Sequence, residues 1–286
     1  MSALEQANSK LTELLEAARK GMIIPIRLPA QLEEIAALFE AAQEEQAQAK
    51  QASAPSASAE EDAYFVGHAI HELRTPMTSI RGYVDMLGAM GQLNDMQKQF
   101  LDVVKVNAKR MESLLTDVSL MNKLRKGTLK VAAKMDMFKN IAMKVEKDMT
   151  PVATELKRQL VLEIPQGLPL LNTDGDHLSV ALCKLVENSL RYSPAETGIV
   201  TLRGEADGNT LVIHLQDNGI GISPEDQAKL GTPYFRSDND AVREYKGSGL
   251  GIPIAFGLIQ AIGGSVQLSS QVGEGTHITI RLKGMT

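Results

Sequence analysis

His71-Glu72-Leu73-Arg74-Thr75-Pro76 lies inside an apolar repeat made of Val66, Ile70, Leu73, Met77, Ile80, Val84 and Leu87. The gaps alternate between four and three, the period of a helix that packs a narrow seam against other helices. His71 falls one position past a seam residue, which puts its ring at the seam's edge with one nitrogen toward water. Pro76 removes a backbone donor in mid-helix and is expected to bend the helix about one turn beyond the histidine. The helix is expected from near Glu60 to residues 88–91, with Asn94 or Asp95 capping a second one. That second helix repeats the seam with Phe100, Val104, Asn107, Met111, Leu114, Val118 and Met121. Matching seams joined by a short glycine-containing connection form an antiparallel hairpin. One hairpin leaves apolar surface that a second copy would cover, so a homodimeric four-helix bundle is expected, with Asn107 helping to fix its register.

The chain has 286 residues, 43% hydrophobic and 23% charged, enough for two or three small globular domains. Its net charge of -5, without a basic stripe for tracking phosphates, argues against nucleic acid as a partner. The single cysteine, Cys183, excludes an internal disulfide and fits a reducing compartment. No apolar run reaches the ~18 residues needed to span a bilayer, and the N-terminus lacks a signal-peptide pattern. The expectation is a cytoplasmic protein, or the cytoplasmic part of a longer one.

Residues 2–19 read as a helix carrying Leu4, Leu11, Leu14, Leu15 and Ala18 on one side. Gly21 ends it, residues 22–29 are extended, and a second helix follows with Leu32, Ile35, Leu38 and Phe39. This order resembles a HAMP signal-relay module; a generic helical dimerisation segment fits it equally. Residues 52–58, rich in Ala and Ser, read as a flexible linker. After Gly127 the period changes. Strands are expected at 129–132, 159–164, 199–203, 211–216, 266–269 and 277–282, and helices at about 136–156, 176–192 and 253–262. Asp207-Gly208-Asn209 and Gly273-Glu274-Gly275 are hairpin turns. Helices mixed with a mostly antiparallel sheet give an α+β two-layer sandwich.

Four segments of the second half point at one ligand. Asn188, Arg191 and Tyr192 lie three and four residues apart and share a helix face. They offer an oxygen for a hard cation, a fork for phosphate and a flat ring for a base. Asp217-Asn218-Gly219-Ile220-Gly221 follows an apolar strand, where a carboxylate can accept from an adenine amino group beside glycine backbone. Gly247-Ser248-Gly249-Leu250-Gly251 opens a helix and turns backbone amides and a positive helix end toward an anion. Gly273-Glu274-Gly275-Thr276 makes a tight turn before the last strand.

In order and spacing these segments resemble the N, G1, F, G2 and G3 boxes of the histidine-kinase ATP-binding domain, a Bergerat-type fold. Upstream, residues 71–76 resemble the H box of the same sensor histidine kinases, and the resemblance covers roughly residues 61–286. It implies that His71 is the phosphoacceptor, that Glu72 orients the ring and takes up its proton, and that Thr75 orients water for dephosphorylating a response regulator. It implies ATP and Mg²⁺, with Asn188 on the metal, Arg191 at phosphate, Tyr192 against adenine and Asp217 on its amino group. Gly219 and Gly221 would shape that pocket. Gly247, Gly249 and Gly251, with Leu250 between them, would wrap the phosphates, and Thr276 would complete the site. Phe235 and Arg236 stand in the F box, and residues 222–246 would form a lid. Pro253 sits harmlessly in a first helical turn. Lys184 departs from the family, which usually has Asn there; a cation at that point would touch phosphate or repel Mg²⁺.

The expected organisation is a relay segment and linker at 1–59, a dimerisation and phosphotransfer domain at 60–127, and a catalytic ATP-binding domain at 128–286. The expected function is a kinase that phosphorylates His71 from ATP and passes the group to an aspartate of a response-regulator receiver domain, with phosphatase activity toward that regulator. A nucleotide-binding scaffold is the alternative that Lys184 suggests. Cys183, His68, His177, His214, His277 and the seam methionines are read as structural.

Overall fold

Residues 58–90 and 95–125 fold as the two long helices that the seams require. The computed structural model describes Ser9, Lys10 and Glu13 and residues 58–90, 93–245 and 247–285. For part of the first long helix, including His68, His71, Glu72 and Thr75, it describes the backbone alone. Ser9, Lys10 and Glu13 are helical; the rest of the expected relay segment and the linker lie outside the described residues.

Helix α1 (Ser58–Met90) runs through Pro76, and α2 (Asp95–Arg125) begins at Asn94 in a reciprocal cap with Gln97. The Asn94 side chain accepts from the Gln97 N–H and the Gln97 side chain from the Asn94 N–H, both at 2.9 Å, so two orphan donors of the first turn are satisfied. Arg81 pairs with Glu112 at 2.8 Å and Lys105 with Asp85 at 3.3 Å, which fixes the antiparallel register. Ile70, Met77 and Val84, seven residues apart, are buried, while Ile80 and Leu87 of the same seam are exposed. On α2 the seam residues Phe100, Val104 and Met111 are exposed as well. A single chain therefore buries only part of its seam.

The sheet domain starts with β1 (Lys134–Asp136) and α3 (Phe138–Glu155), then β2 (Gln159–Glu163), β3 (Leu171–Thr173) and α4 (Gly175–Tyr192). Strands β4 (Ile199–Asp207) and β5 (Thr210–Asp217) form a hairpin through Gly208, whose φ of 58° suits the turn. Short helices α5 (Pro224–Gln227) and α6 (Asp240–Arg243) precede α7 (Gly251–Ala261), and β6 (Ser265–Gln271) and β7 (Gly275–Lys283) follow. The five-stranded order is β2-β4-β5-β7-β6, with β2 parallel to β4 and the other pairs antiparallel.

One face of the sheet, through Leu202, Ile213, Leu215 and Ile280, packs on Phe138 of α3, Leu182 and Leu185 of α4 and Leu258 of α7. This is the two-layer α+β sandwich. The strand expected at 129–132 does not form. The Ala132 N–H donates to the Asp174 side chain at 2.8 Å, so the segment braces a helix cap. The strand begins at Lys134 and pairs with β3, which the pattern did not reveal.

The end of α2 lies on this domain. Val118, Leu120, Met121 and Leu124 pack against its core. Gly257 of α7 permits the approach, since a Cβ there would sit 2.9 Å from Leu124 Cδ1. Gly257→Val is expected to displace Leu124 at about 1–2 kcal/mol, lowering the calorimetric unfolding midpoint by about 2–8 °C.

Candidate active site

The Asp174 carboxylate starts α4 by accepting from the His177 N–H at 3.0 Å. Four turns later the helix brings Asn188, Arg191 and Tyr192 to the wall of a cavity of about 1080 Å³. No described residue hydrogen-bonds the Asn188 carboxamide, which leaves its oxygen available to a cation. Arg191 borders the cavity, but its guanidinium holds Glu187 at 2.6 Å in an i,i+4 pair. Tyr192 meets Tyr245 edge-on, with ring centroids 5.8 Å apart.

Asp217, at the end of β5, lines the same cavity and is buried. Its Oδ2 accepts from the Ser189 hydroxyl at 2.6 Å, and its Oδ1 from the Gly219 and Thr276 N–H groups at 3.0 Å each. Burial pushes its carboxyl above the ordinary carboxylate range, against the three hydrogen bonds, which act the other way. Ser189 was not visible as a site residue in the sequence. Gly219 lies behind Asp217 and does not line the cavity, whereas Gly221 does. Gly221 has a φ of 67°, and a Cβ on it would fall 1.9 Å from the Gln271 carbonyl oxygen.

Gly247, Gly249 and Gly251 border the cavity, while Leu250 is fully buried and anchors their loop in the core. Gly249 (φ 69°) passes so close to Tyr234 and Phe235 that a side chain would strike their backbone. Phe235, Arg236 and Thr276 also face the cavity. Arg236 donates to the carbonyls of Val242, Tyr245 and Gly247 and so organises the segment ahead of the glycine loop. Arg158, not anticipated from sequence, holds Tyr245 from the opposite side, donating to its hydroxyl at 2.9 Å.

Lys184 lines the cavity one helical turn before Asn188, and both oxygens of Asp117 on α2 accept from its ammonium, at 2.6 and 2.7 Å. Its charge is therefore offset within the site. Asp117 had given no signal as a site residue. Cys183 is half-buried, its thiol pushed up to about 11 by burial, so it is a packing residue. His214 and His277 stack 3.1 Å apart, nitrogen to nitrogen, and line no part of the cavity.

His71, Glu72 and Thr75 belong to α1 by their backbone. Carrying the antiparallel register ten residues past Arg81 sets the His71 backbone opposite about residues 119–122, close to the level of Asp117.

Residues 62–127 match the family described as His Kinase A (phospho-acceptor) domain. Residues 173–285 match the histidine kinase-, DNA gyrase B- and HSP90-like ATPase. The chain belongs to the sensor histidine kinases. Among histidine kinases it is 31% identical to the sensor histidine kinase WalK of Bacillus subtilis, over 78% of this chain and 37% of that protein. It is 29% identical to the autoinducer 2 sensor kinase/phosphatase LuxQ of Vibrio parahaemolyticus, over 78% of this chain and 27% of that one. The chain thus spans well under half the length of the curated relatives it matches. Its fold is shared with the full-length histidine kinase ShkA in complex with AMPPNP, at a TM-score of 0.66 and 23% identity, over 77% of this chain and 45% of that one. No helix among the described residues is long and apolar enough to cross a membrane.

Proposed function

We propose that the chain binds ATP with Mg²⁺ in the cavity between α4 and the glycine loops, phosphorylates His71, and passes the group to an aspartate of a response-regulator receiver domain. One observation carries this: a single cavity unites Asn188, Asp217, Gly221 and the glycine loop of Gly247–Gly251, segments far apart in sequence. Asp217 accepts the adenine amino group, Tyr192 packs at the base, and the loop before α7 faces the phosphates. Asn188 fits a Mg²⁺ ion because its carboxamide oxygen is free for one ligand position, the others falling to phosphate and water. The ion would neutralise charge on the transferring group. Phe235 and Arg236 shape the segment that covers the nucleotide, and Arg191 reaches phosphate by leaving Glu187.

His71 attacks the γ-phosphorus through a neutral ring nitrogen, the bond to the ADP oxygen breaks, and Glu72 takes the ring's proton. Thr75 orients water for removing the phosphoryl group from the regulator, a phosphatase reading supported by the name that LuxQ carries. The working unit is a homodimer, because Ile80, Leu87, Phe100, Val104 and Met111 otherwise leave an apolar seam in water. The division at 1–59, 60–127 and 128–286 is part of this reading, as is work in the cytoplasm. The test is incubation with γ-labelled ATP and Mg²⁺. An acid-labile, base-stable label is expected; bound nucleotide with no label would replace the kinase by a scaffold.

Asp217→Asn gives a finer test. An amide oxygen still accepts from Gly219 and Thr276, so the fold persists. Because the folded pKa is raised, the stability from this carboxyl is fully present below its unfolded value and lost as pH rises through the folded one. The substitution is therefore not expected to destabilise the protein at neutral pH. Affinity for a fluorescent adenine nucleotide is expected to fall about ten- to hundredfold, the worth of a hydrogen bond to a charged group. Wild-type affinity should also weaken on acidification while ordinary carboxylates are still charged, and that slope should vanish in the variant. Unchanged affinity would remove Asp217 from adenine recognition.

A further inference from the structure

Lys184 and Asp117 come from two parts of the molecule, α4 and α2, and each is largely withdrawn from water, their side chains 19% and 10% exposed. Both line the cavity that holds Asn188. A buried ion pair is a poor choice for stability alone, since desolvation offsets most of the attraction and apolar residues of equal volume serve as well. Nor is it needed to seat the hairpin, because Val118, Leu120, Met121 and Leu124 already supply an apolar base. The pair does one thing an apolar contact cannot. It ties up a cation four residues from Asn188, on the same face of α4.

An ammonium has three donors, and here two engage one carboxylate. Asp117 is the only acid that α2 brings to the cavity wall. A triphosphate entering along the glycine loops offers more negative charge than a single carboxylate, in the cavity whose wall Lys184 shares with those loops, and a four-carbon side chain can turn.

We propose that Lys184 is a shared cation, held by Asp117 when the hairpin is seated and by the nucleotide's phosphates when ATP is bound. This rests on the ATP reading of the cavity and adds two residues to it, Lys184 as a phosphate contact and Asp117 as a positioning residue that acts through Lys184. By reciprocity, whatever Asp117 subtracts from ATP affinity, ATP subtracts from the attachment of α2 to the catalytic domain. Nucleotide occupancy thereby loosens the hairpin's charged contact and leaves the apolar base as a bearing.

The experiment is a double-mutant cycle on the full chain, measuring the Kd of a fluorescent ATP analogue for wild type, Asp117→Asn, Lys184→Gln and the double variant. Asp117→Asn is expected to bind about fivefold tighter or more, and Lys184→Gln weaker by a similar factor. The double variant should match Lys184→Gln alone, because Asp117 has no other route to the nucleotide. A structural role for Asp117 gives the opposite sign, since a loosened seat would lower affinity. Unchanged or weaker binding by Asp117→Asn overturns the proposal, as do effects of the two substitutions that simply add. If Asp117→Asn does not fold, Lys184→Gln carries the test, and unaltered affinity in it overturns the proposal. A wild type that binds no ATP overturns the functional reading and this inference with it, whereas a binding wild type with an inert Asp117→Asn overturns this inference alone.

Discussion

Replacing His71 with glutamine is expected to remove the acid-labile label left by γ-labelled ATP, while His68→Gln keeps it. Both histidines lie on α1 three residues apart, so the contrast separates chemistry from location. Glutamine preserves length, polarity and helix propensity, but its amide nitrogen's lone pair is delocalised into the carbonyl and cannot attack phosphorus, whereas a neutral imidazole nitrogen has one free. Loss of a nucleophile lowers turnover by about a thousandfold or more, which here means the assay's background. Only His71 is followed by Glu72, a carboxylate positioned in sequence to receive the proton. Nucleotide affinity should be unchanged in the His71 variant, since Asn188, Asp217, Gly221 and the glycine loop that line the cavity all lie outside α1. Retained label in that variant, with loss in His68→Gln, would transfer the acceptor role.

Gly221→Ala is expected to unfold the floor of the nucleotide site. Two effects combine. The left-handed φ of 67° strains any side chain by about 1–3 kcal/mol. The new Cβ also strikes the Gln271 carbonyl oxygen at 1.9 Å, a backbone atom that cannot rotate aside, and overpacking of that kind adds about 1–3 kcal/mol. The result should be a loss of about 2–4 kcal/mol in thermal or denaturant unfolding. Because Gly273 donates its N–H to Ile220 at 2.8 Å, the displacement would pass to the β6–β7 turn and to Thr276, whose N–H supports Asp217. Nucleotide binding should therefore fall even at temperatures where the variant is folded. Gly208→Ala is the control: its φ of 58° is similar but nothing lies within 4 Å of its Cβ, so about 1 kcal/mol of strain is all that remains. Equal effects at the two glycines would contradict the described packing.

What the sequence revealed depended on whether the relevant partner was local or distant. The α1–α2 hairpin was legible because Ile70, Met77 and Val84 repeat with helical period and Asn94 carries its own cap signal. The order of strands after Gly127 was legible in the turn residues 207–209 and 273–275. β1 and β3 were not, because three residues are too few to establish a period; only their mutual pairing defines them. The segment 129–132 has the composition of a strand, yet its amide found a helix cap instead. In the site, Asp217 and the glycine loops announced themselves through residue type next to a strand or helix end. Ser189 and Asp117 did not, since a serine inside a helix and an acid on its polar face look ordinary until the third dimension supplies their partners. The Glu187–Arg191 pair is readable from i,i+4 spacing, but a guanidinium beside a cation-binding Asn suits phosphate equally, and sequence alone does not choose between the two partners.

The end of α2 has a mechanical consequence. Gly127, at a φ of 63°, closes the helix through its N–H to Leu124 and that of Thr128 to Lys123, so the regular rod stops there and the chain changes direction. Asp117 stands ten residues up the rod, a lever arm of about 15 Å. A swing of about 10° about that fulcrum carries the carboxylate through about 3 Å at that helical rise, as far as the contact itself is long. The ion pair is in effect a gauge of angle. It reads a tilt of about 10° as made or broken, before the greased surface around Leu124, nearer the fulcrum, would come apart.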